Sequence, residues 1–324
     1  MVALRKGLWP AFVSAMTMHP DPRALSGLWS AAPTAFCPDG ALDEGAFAAH
    51  LGRWGATLGL AGLIVGGEEG EGPALTHDER KRLFSTAAEV AAGRCGLILD
   101  CSDPQEGRMA DLMALAGALS VPCMLSLPRL PGARAQEATL LAFVTRAARE
   151  APHGLVLDIH PGAGYLVAPR LAARLAETPG ILALRYVAPA SLRAELARHL
   201  DGQVPFSGGD EAIWLEEIET RGATLHLGGL APLMLQSAAC PHVAQYAAAA
   251  LAGRREDAVI AHRALDPLRA AIAEMTPAEK PIAAAKHWLA LTGFPCGPVR
   301  LPWLPLTARE EGRIERAFAD HAPA

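Results

Sequence analysis

Short apolar runs alternate with longer amphipathic stretches along most of the chain, from Leu28 to about Ala250. Short apolar runs bounded by turn residues are typical of buried parallel strands, and the stretches between them have the periodicity of helices. This alternation predicts a parallel sheet covered by helices. The eight strand candidates are LWSAAPTAF, AGLIVGG, CGLILDC, PCMLSLP, GLVLDIH, ILALRYV, VPFSGG and ATLHLGG.

Two of the predicted helices carry clear boundary signals. Thr76 followed by Glu79 forms a capping box, in which each side chain satisfies a free backbone N–H at the start of a helix. Asp210 is a suitable N-cap for the helix after the seventh strand, and Gly222 suits its C-terminal end.

Eight strand–helix repeats predict a closed (β/α)₈ barrel over residues 27–250, because right-handed crossovers after every strand curl the sheet until its edges meet. Later helical patterns predict a C-terminal helical domain over residues 251–324. We expect residues 1–26 to form an N-terminal arm rather than a signal peptide, since Pro10 interrupts the initial apolar stretch. The helical patterns of the C-terminal part lie near 254–275, 277–292 and 307–320.

Composition narrows the classes of partner. The formal net charge is -5, from 29 basic and 34 acidic residues mixed along the chain. This distribution gives no basic surface for nucleic acid or anionic lipid, and no apolar run is long enough to span a membrane. The six cysteines are scattered along the chain, a pattern that indicates reduced thiols of a cytoplasmic protein. We therefore expect a small-molecule partner.

Chemistry in such barrels is found at the C-terminal ends of the strands. Asp100 and Asp210 have an alternative role there as N-caps, and His226 has an alternative role as a hydrogen-bonded core histidine. The polar residues predicted at or near these ends are Glu68, Glu69, Asp100, Arg129, Asp158, His160, Arg185, Ser207, Asp210, Thr224 and His226.

Five segments carry a resemblance to a known family: PTAFCPDGALD, GLIVGGEEGEGPALTHDER, IHPGAGYLVAPRLAARLAETPGILALR, FSGGDEA, and PIAAAKHWLALTG followed by GPVRLPWLPL. Their order and spacing, from about Gly27 to about Phe318, resemble the dihydrodipicolinate synthase / N-acetylneuraminate lyase family. The resemblance implies a (β/α)₈ barrel with C-terminal helices, usually a dimer or tetramer. It also implies class I aldolase chemistry on pyruvate or a similar 2-oxo acid.

The same resemblance places the family's functional positions on different residue types here. The Schiff-base lysine that ends the family's sixth strand falls on Arg185, and the proton-relaying tyrosine of the fifth strand falls on Asp158. The hydroxyl pair that binds the carboxylate, within the family's GGTTGE pattern, falls on Glu68 and Glu69. The family's loop arginine and its tyrosine pair fall on Ala163, Arg129 and Leu130.

Arg185 excludes the family's usual mechanism. A class I aldolase needs a neutral amine that adds to a carbonyl, whereas a guanidinium stays protonated and is not a nucleophile. The chain has only four lysines, Lys6, Lys81, Lys280 and Lys286, and none lies at a predicted strand end. Lys286 resembles a family lysine of the C-terminal helices, where a structural role is expected.

We therefore expect a divergent family member that acts on a small 2-oxo or hydroxy carboxylic acid at the C-terminal face of the barrel, without a Schiff base and without a cofactor. Arg185, Asp158 and Glu69 are the candidate catalytic residues, with Arg185 binding the ligand's carboxylate or carbonyl oxygen and Asp158 or Glu69 moving a proton. The candidate substrate-binding residues are Glu68, Gly67, Arg129, Ser207, Gly208, Thr224 and His226.

Three alternatives remain open. Asp158 and Arg185 lie at equivalent depth on neighbouring strands, so they are expected to form an ion pair. In one alternative, this pair only fills a disused pocket. In another, the barrel is a non-catalytic binding or regulatory module. In the third, a divalent metal binds at Glu68, Glu69, Asp158 and His160, although their spacing matches no established ligand pattern and Arg185 would repel a cation.

Overall fold

A computed structural model of the protein describes residues 25–129 and 137–321. Nearly all of the predicted N-terminal arm, and Leu130, lie outside the described residues. Each of the eight predicted strands is present, and the predicted barrel fold is confirmed. The strands are β1 (Gly27–Ala32), β2 (Gly62–Val65), β3 (Gly96–Asp100), β4 (Cys123–Ser126), β5 (Leu155–Ile159), β6 (Ile181–Tyr186), β7 (Phe206–Ser207) and β8 (Leu225–Gly228).

The strands form one parallel sheet in the order β7-β6-β5-β4-β3-β2-β1-β8. The sheet curls, so its two end strands, β7 and β8, lie next to each other. The Leu227 backbone N–H of β8 donates to the Ser207 Oγ of β7 at 2.9 Å. A side-chain hydroxyl therefore bridges the seam where a backbone ladder is missing, and the barrel is nearly closed.

Helices follow the strands as predicted, and their capping signals are in place. Thr76 accepts from the Glu79 backbone N–H while the Glu79 side chain accepts from the Thr76 N–H, which completes the capping box. Asp210 caps a short 3₁₀ turn rather than the helix itself. The barrel helices are α1 (Glu44–Thr57), α2 (His77–Ala91), α3 (Glu106–Ala118), α4 (Glu137–Glu150), α5 (Pro169–Ala176), α6 (Ala190–Leu200) and α7 (Trp214–Arg221).

Successive side chains of each strand point alternately into and out of the barrel, and this alternation produces two apolar layers. Residues that point outward from the barrel, such as Leu63 and Leu99, join one large core with the helices. Inward residues form a second cluster that includes Trp29, Ile64 and Val156. Because side chains alternate with a period of two, the residues two positions after these inward ones point into the mouth of the barrel. This periodicity positions the candidate site.

Six helices follow β8. The pattern predicted near 254–275 is two helices rather than one, because Pro267 has no backbone N–H and starts a new helix near Asp266. A domain boundary at residue 250 remains a prediction. The six helices are α8 (Ala231–Met234), α9 (His242–Leu251), α10 (Arg255–Arg263), α11 (Asp266–Met275), α12 (Pro281–Leu291) and α13 (Ala308–His321).

A buried ion pair ties α12 to the loop after β2. Lys286 Nζ lies 2.7 Å from Glu71 Oε1, and the two side chains are 2% and 0% exposed. The second Glu71 oxygen accepts from the Arg300 backbone N–H at 2.8 Å. Glu71 has a left-handed backbone with φ 56°. The C-terminal part of the chain therefore fixes the loop that carries Glu68 and Glu69 into the barrel mouth.

Replacing Lys286 with Met is expected to lower the free energy of unfolding by about 3–5 kcal/mol, because it leaves the Glu71 carboxylate buried without a cation. Urea denaturation followed by circular dichroism measures this change. Lys81→Met is the matched control, since Lys81 is exposed on α2 and the same substitution there is expected to cost less than about 0.5 kcal/mol. Equal losses in both variants would contradict the structural role of Lys286.

Candidate active site at the C-terminal ends of the strands

A cavity of about 140 Å³ opens among the C-terminal ends of the strands. Its floor is apolar and its walls are charged, which is the composition of a small-molecule site. The floor consists of inward side chains of the barrel core, such as Ile64 and Met124. The charged and polar side chains that line the cavity are Glu68, Glu69, Asp100, Ser126, Arg129, Asp158, His160 and Arg185.

Arg185 occupies the centre of the charged wall. It lies near the end of β6, in register with Asp158 on β5. Its Nη1 is 3.2 Å from Asp158 Oδ1 and its Nη2 is 3.5 Å from Glu69 Oε1. Burial alone would lower the pKa of Arg185, but Asp158 and Glu69 outweigh this effect and raise it. The guanidinium is therefore permanently charged, and the predicted Asp158–Arg185 ion pair is confirmed.

Asp158 is held on both of its oxygens. Ser126, its register partner on β4, donates its hydroxyl to Asp158 Oδ2 at 3.0 Å, and Arg185 donates to Oδ1. Ser126, Asp158 and Arg185 thus form a hydrogen-bonded row across three neighbouring strands. This row fixes the carboxylate and the guanidinium in one orientation, as a binding site requires.

Asp100 lines the cavity at the end of β3 and is 6% exposed. Its Oδ1 accepts from the Ser102 backbone N–H at 2.9 Å, which is the local turn contact expected of a capping aspartate. No lysine or arginine of residues 25–129 and 137–321 forms an ion pair with its carboxylate. Burial raises the pKa of Asp100 to about 6, although Ser102 and Arg80 oppose this shift.

Arg80 supports this wall from behind, a role that sequence reasoning missed. Its guanidinium is buried and donates to the backbone oxygens of Asp100 at 2.6 Å and Ser102 at 2.9 Å, and it also contacts the Asp103 carboxylate at 3.4 Å. Its position four residues after the capping residue Thr76 was the available signal. That spacing places Arg80 in the first turns of α2, near the ends of β2 and β3.

The loop after β2 carries three predicted site residues to the cavity. Gly67 and Glu69 line it, and Glu68 lies exposed at its rim. A Cβ atom on Gly67 would lie 3.0 Å from Asp100 Oδ2, so the missing side chain allows the loop to approach Asp100 closely. Arg129 is also exposed at the rim, where it adds a second cation.

Four predicted substrate-binding residues do not line this cavity. Thr224 precedes β8 and its carbonyl pairs with Gly27 at the start of β1, so it lies at the opposite end of the barrel and the prediction is wrong. Ser207 is fully buried at the β7–β8 seam, where its hydroxyl accepts from Leu227. Gly208 is buried beside Glu217, away from the cavity.

His226 is a core residue rather than a residue of the barrel mouth. Its neighbours Leu225 and Leu227 point inward, so His226 points outward, where its ring lies 5.1 Å from that of Trp214. Burial, reinforced by the charge of Arg185, lowers the pKa of His226 to about 3. Neither ring nitrogen has a hydrogen-bond partner among the described residues. The ring is therefore neutral at pH 7.

No lysine of the described residues lines the cavity. Lys81 is exposed on α2, Lys280 pairs with Glu310, and Lys286 pairs with Glu71. Lys6 lies outside the described residues. Arg185 is thus the cation that faces the cavity at the end of β6, with Arg129 at the rim.

Within residues 25–129 and 137–321, no three His, Cys, Asp or Glu side chains are grouped so that they could hold a metal ion. The helices of these ranges are also too short or too polar to cross a bilayer.

Comparison with known proteins identifies the family. The sequence pattern of the Dihydrodipicolinate synthetase family matches residues 24–320. The chain belongs to this family. It is 29% identical over 263 residues to 4-hydroxy-tetrahydrodipicolinate synthase 1 of Halalkalibacterium halodurans, an alignment that covers 80% of this chain and 85% of that protein.

Solved structures of similar proteins share the fold. A putative dihydrodipicolinate synthetase from Pseudomonas aeruginosa superimposes with a TM-score of 0.79 at 21% identity, over 92% of this chain and 99% of that one. The N-acetylneuraminate lyase of Proteus mirabilis gives a TM-score of 0.79 at 20% identity, over 93% and 100%. At these sequence identities, the structural similarity shows that this chain shares the barrel fold with its C-terminal helices. A shared fold does not determine the chemistry, which depends on the residues of this chain.

A double-mutant cycle on Arg185→Met and Asp158→Asn tests the central ion pair. The two side chains are 14% and 10% exposed, so their coupling energy is expected to be about 0.5–3 kcal/mol by urea denaturation. Arg185→Met is expected to cost more than Asp158→Asn, because Asp158→Asn leaves Glu69 to pair with the guanidinium.

The control cycle uses Arg146→Met and Glu106→Gln, an exposed pair with side chains that are 67% and 61% accessible. Its coupling is expected to stay below about 1 kcal/mol. Additive losses at Arg185 and Asp158 would show that the two charges do not stabilise each other.

Proposed function

We propose that this protein acts on a small 2-oxo or hydroxy carboxylic acid in the cavity at the C-terminal face of the barrel, without forming a Schiff base. The observation that carries this proposal is the guanidinium of Arg185, which faces the cavity at the end of β6 while no described lysine does. A guanidinium does not add to a carbonyl carbon, but it binds carboxylates and enolates through parallel hydrogen bonds.

The contacts of Arg185 suit this role. Each Nη contacts one carboxylate oxygen and carries a second N–H group, so the guanidinium retains donors for a ligand. Asp158 holds the guanidinium in one orientation, and Glu69 approaches it from the loop after β2. In the proposed site Arg185 binds the ligand's carboxylate or carbonyl oxygen, and Asp158 and Glu69 keep it oriented. Arg129 attracts the anionic ligand from the rim.

A second function is favoured by one observation. Both Nη atoms of Arg185 already contact carboxylates, at 3.2 Å and 3.5 Å. A guanidinium neutralised in this way also fits a non-catalytic barrel, in which the pair fills the pocket or a ligand only stabilises the fold. Turnover separates this alternative from an enzyme, because a binding module is stabilised by its ligand without forming product.

Two further proposals rest on the resemblance to the family. We propose a homo-oligomer, a dimer or tetramer, located in the cytoplasm. The family's tyrosine at the subunit contact falls on Leu130, outside the described residues, so an oligomer here would need other contacts. Analytical ultracentrifugation of the full chain measures the assembly.

Borohydride reduction in the presence of pyruvate tests the absence of imine chemistry. We expect the intact mass of the protein to remain unchanged, because no lysine of the described residues lines the cavity. A pyruvate-dependent class I aldolase treated in parallel is the positive control and should gain the mass of the reduced adduct. A stable adduct on this chain would overturn the proposal, and peptide mapping would then identify the reactive lysine.

Turnover and thermal stabilisation are then measured with pyruvate, 2-oxobutyrate, lactate and glycerate. The proposed enzyme should convert at least one of them, and Arg185→Met should abolish both conversion and stabilisation. Stabilisation without product supports the binding module instead. Neither stabilisation nor product with any of the four acids would refute the proposed substrate class.

A further inference from the structure

The charges of the described residues that line the cavity do not balance. Among residues 25–129 and 137–321, four carboxylates line it, from Glu68, Glu69, Asp100 and Asp158, against two guanidiniums, Arg129 and Arg185. Arg185 is shared between Asp158 and Glu69, and Arg129 is exposed at the rim. A carboxylate ligand would bring a fifth negative charge into this space. Its entry therefore becomes more favourable when one carboxylate is neutralised at the same time.

Of these four carboxylates, Asp100 is the one whose protonation requires the least free energy. Asp158 is bonded on both oxygens to donors, and protonation would break at least one of these bonds. Glu68 is exposed and Glu69 is about one-third exposed, so water screens their charges. Asp100 is 6% exposed and has no ion pair with a cation among the described residues. Its carboxylate is hydrogen-bonded only to neutral donors of Ser102, the backbone N–H on Oδ1 and the side chain, among the described residues.

Charged groups on three neighbouring elements act on the Asp100 carboxylate. Arg80 of α2 lies nearest, but it donates to the backbone oxygen of Asp100 and to Asp103. Asp158 of β5 repels the Asp100 carboxylate, whereas Arg185 of β6 attracts it from farther away. Burial, with a smaller contribution from the charge of Asp158, raises the pKa of Asp100 to about 6 even without a ligand, against the opposing effects of Ser102 and Arg80. An additional anion in the cavity raises this pKa further.

We propose that binding of a carboxylate ligand beside Arg185 is coupled to uptake of one proton by Asp100, whose protonated carboxyl then donates a hydrogen bond to an oxygen of the ligand. This inference rests on the proposed function, since it assumes a carboxylate ligand in this cavity. A protonated carboxyl gains an O–H donor that the carboxylate lacks. Asp100 therefore becomes a ligand-binding residue. From the sequence, it was only a polar residue at a strand end or an N-cap.

Isothermal titration calorimetry with pyruvate and with L-lactate tests the coupling. Titration at pH 7 in buffers of different ionisation enthalpy gives the number of protons taken up. Wild-type protein should take up close to one proton per ligand, and its affinity should fall about tenfold between pH 7 and pH 8, because the proton bound in the complex is absent from the free protein. Asp100→Asn, which keeps the acceptor for Ser102, should bind without uptake and with little pH dependence.

His160→Gln is the control variant. His160 lines the same cavity and carries an imidazole, the side chain that most often serves as a proton acceptor in proteins. The uptake should persist in His160→Gln. Loss of uptake in this variant with retention in Asp100→Asn would assign the proton to His160 and overturn the inference. Uptake that persists in both variants would also overturn it.

A measurement on wild-type protein covers the case in which Asp100→Asn fails to fold. Difference infrared spectroscopy should show a new protonated-carboxyl C=O band when pyruvate is added, and absence of this band despite binding would overturn the inference. Failure of the proposed function has a different signature. If neither acid binds wild-type protein, the proposed function falls and the inference falls with it, whereas binding without proton uptake refutes the inference alone.

Discussion

The guanidinium of Arg185 between Asp158 and Glu69 is the contact on which the geometry of the mouth depends. It connects β6, β5 and the loop after β2, three parts of the chain that are far apart in sequence. A charge this buried is stable only with partners, and removal of one partner leaves the others unpaired. The three residues are therefore interdependent, and the side chains that the family resemblance treats as separate positions act here as one electrostatic unit.

The scaffold and the site are held by different interactions. The barrel depends on alternating inward and outward apolar side chains, and the loop after β2 is fixed by the buried Glu71–Lys286 pair. Neither involves Arg185 or Asp158. The chemistry at the strand ends can therefore change while the barrel and its C-terminal helices remain those of the family. Lys286 illustrates this separation, because the lysine that persists serves the scaffold and not the cavity.

The sequence predicted the strands well, since each apolar run is bounded by turn residues and only one topology closes eight such units. It also predicted the Asp158–Arg185 pair, because equivalent depth on neighbouring parallel strands forces the two side chains together. It failed for Thr224, which stands near the start of the run ATLHLGG and therefore at the N-terminal end of β8. For His226 the sequence left a site residue and a core histidine open, and the structure has the core histidine, because its neighbours Leu225 and Leu227 point inward. The support from Arg80 depends on a contact between a helix and a strand end, for which the capping box fixes only the position of Arg80 in the first turns of α2 and not its partners.

The polarity of the cavity is the reverse of what the family resemblance implies. The hydroxyl pair that binds the ligand's carboxylate after the second strand of the family is represented here by Glu68 and Glu69, so that wall offers acceptors where the family has donors. The strong donor is now Arg185 on β6, four strands away from β2 in an eight-stranded barrel. The two walls therefore face each other across the mouth. In the proposed site the charged end of a carboxylate ligand lies against the β6 wall, which is the reverse of the orientation that the family resemblance implies.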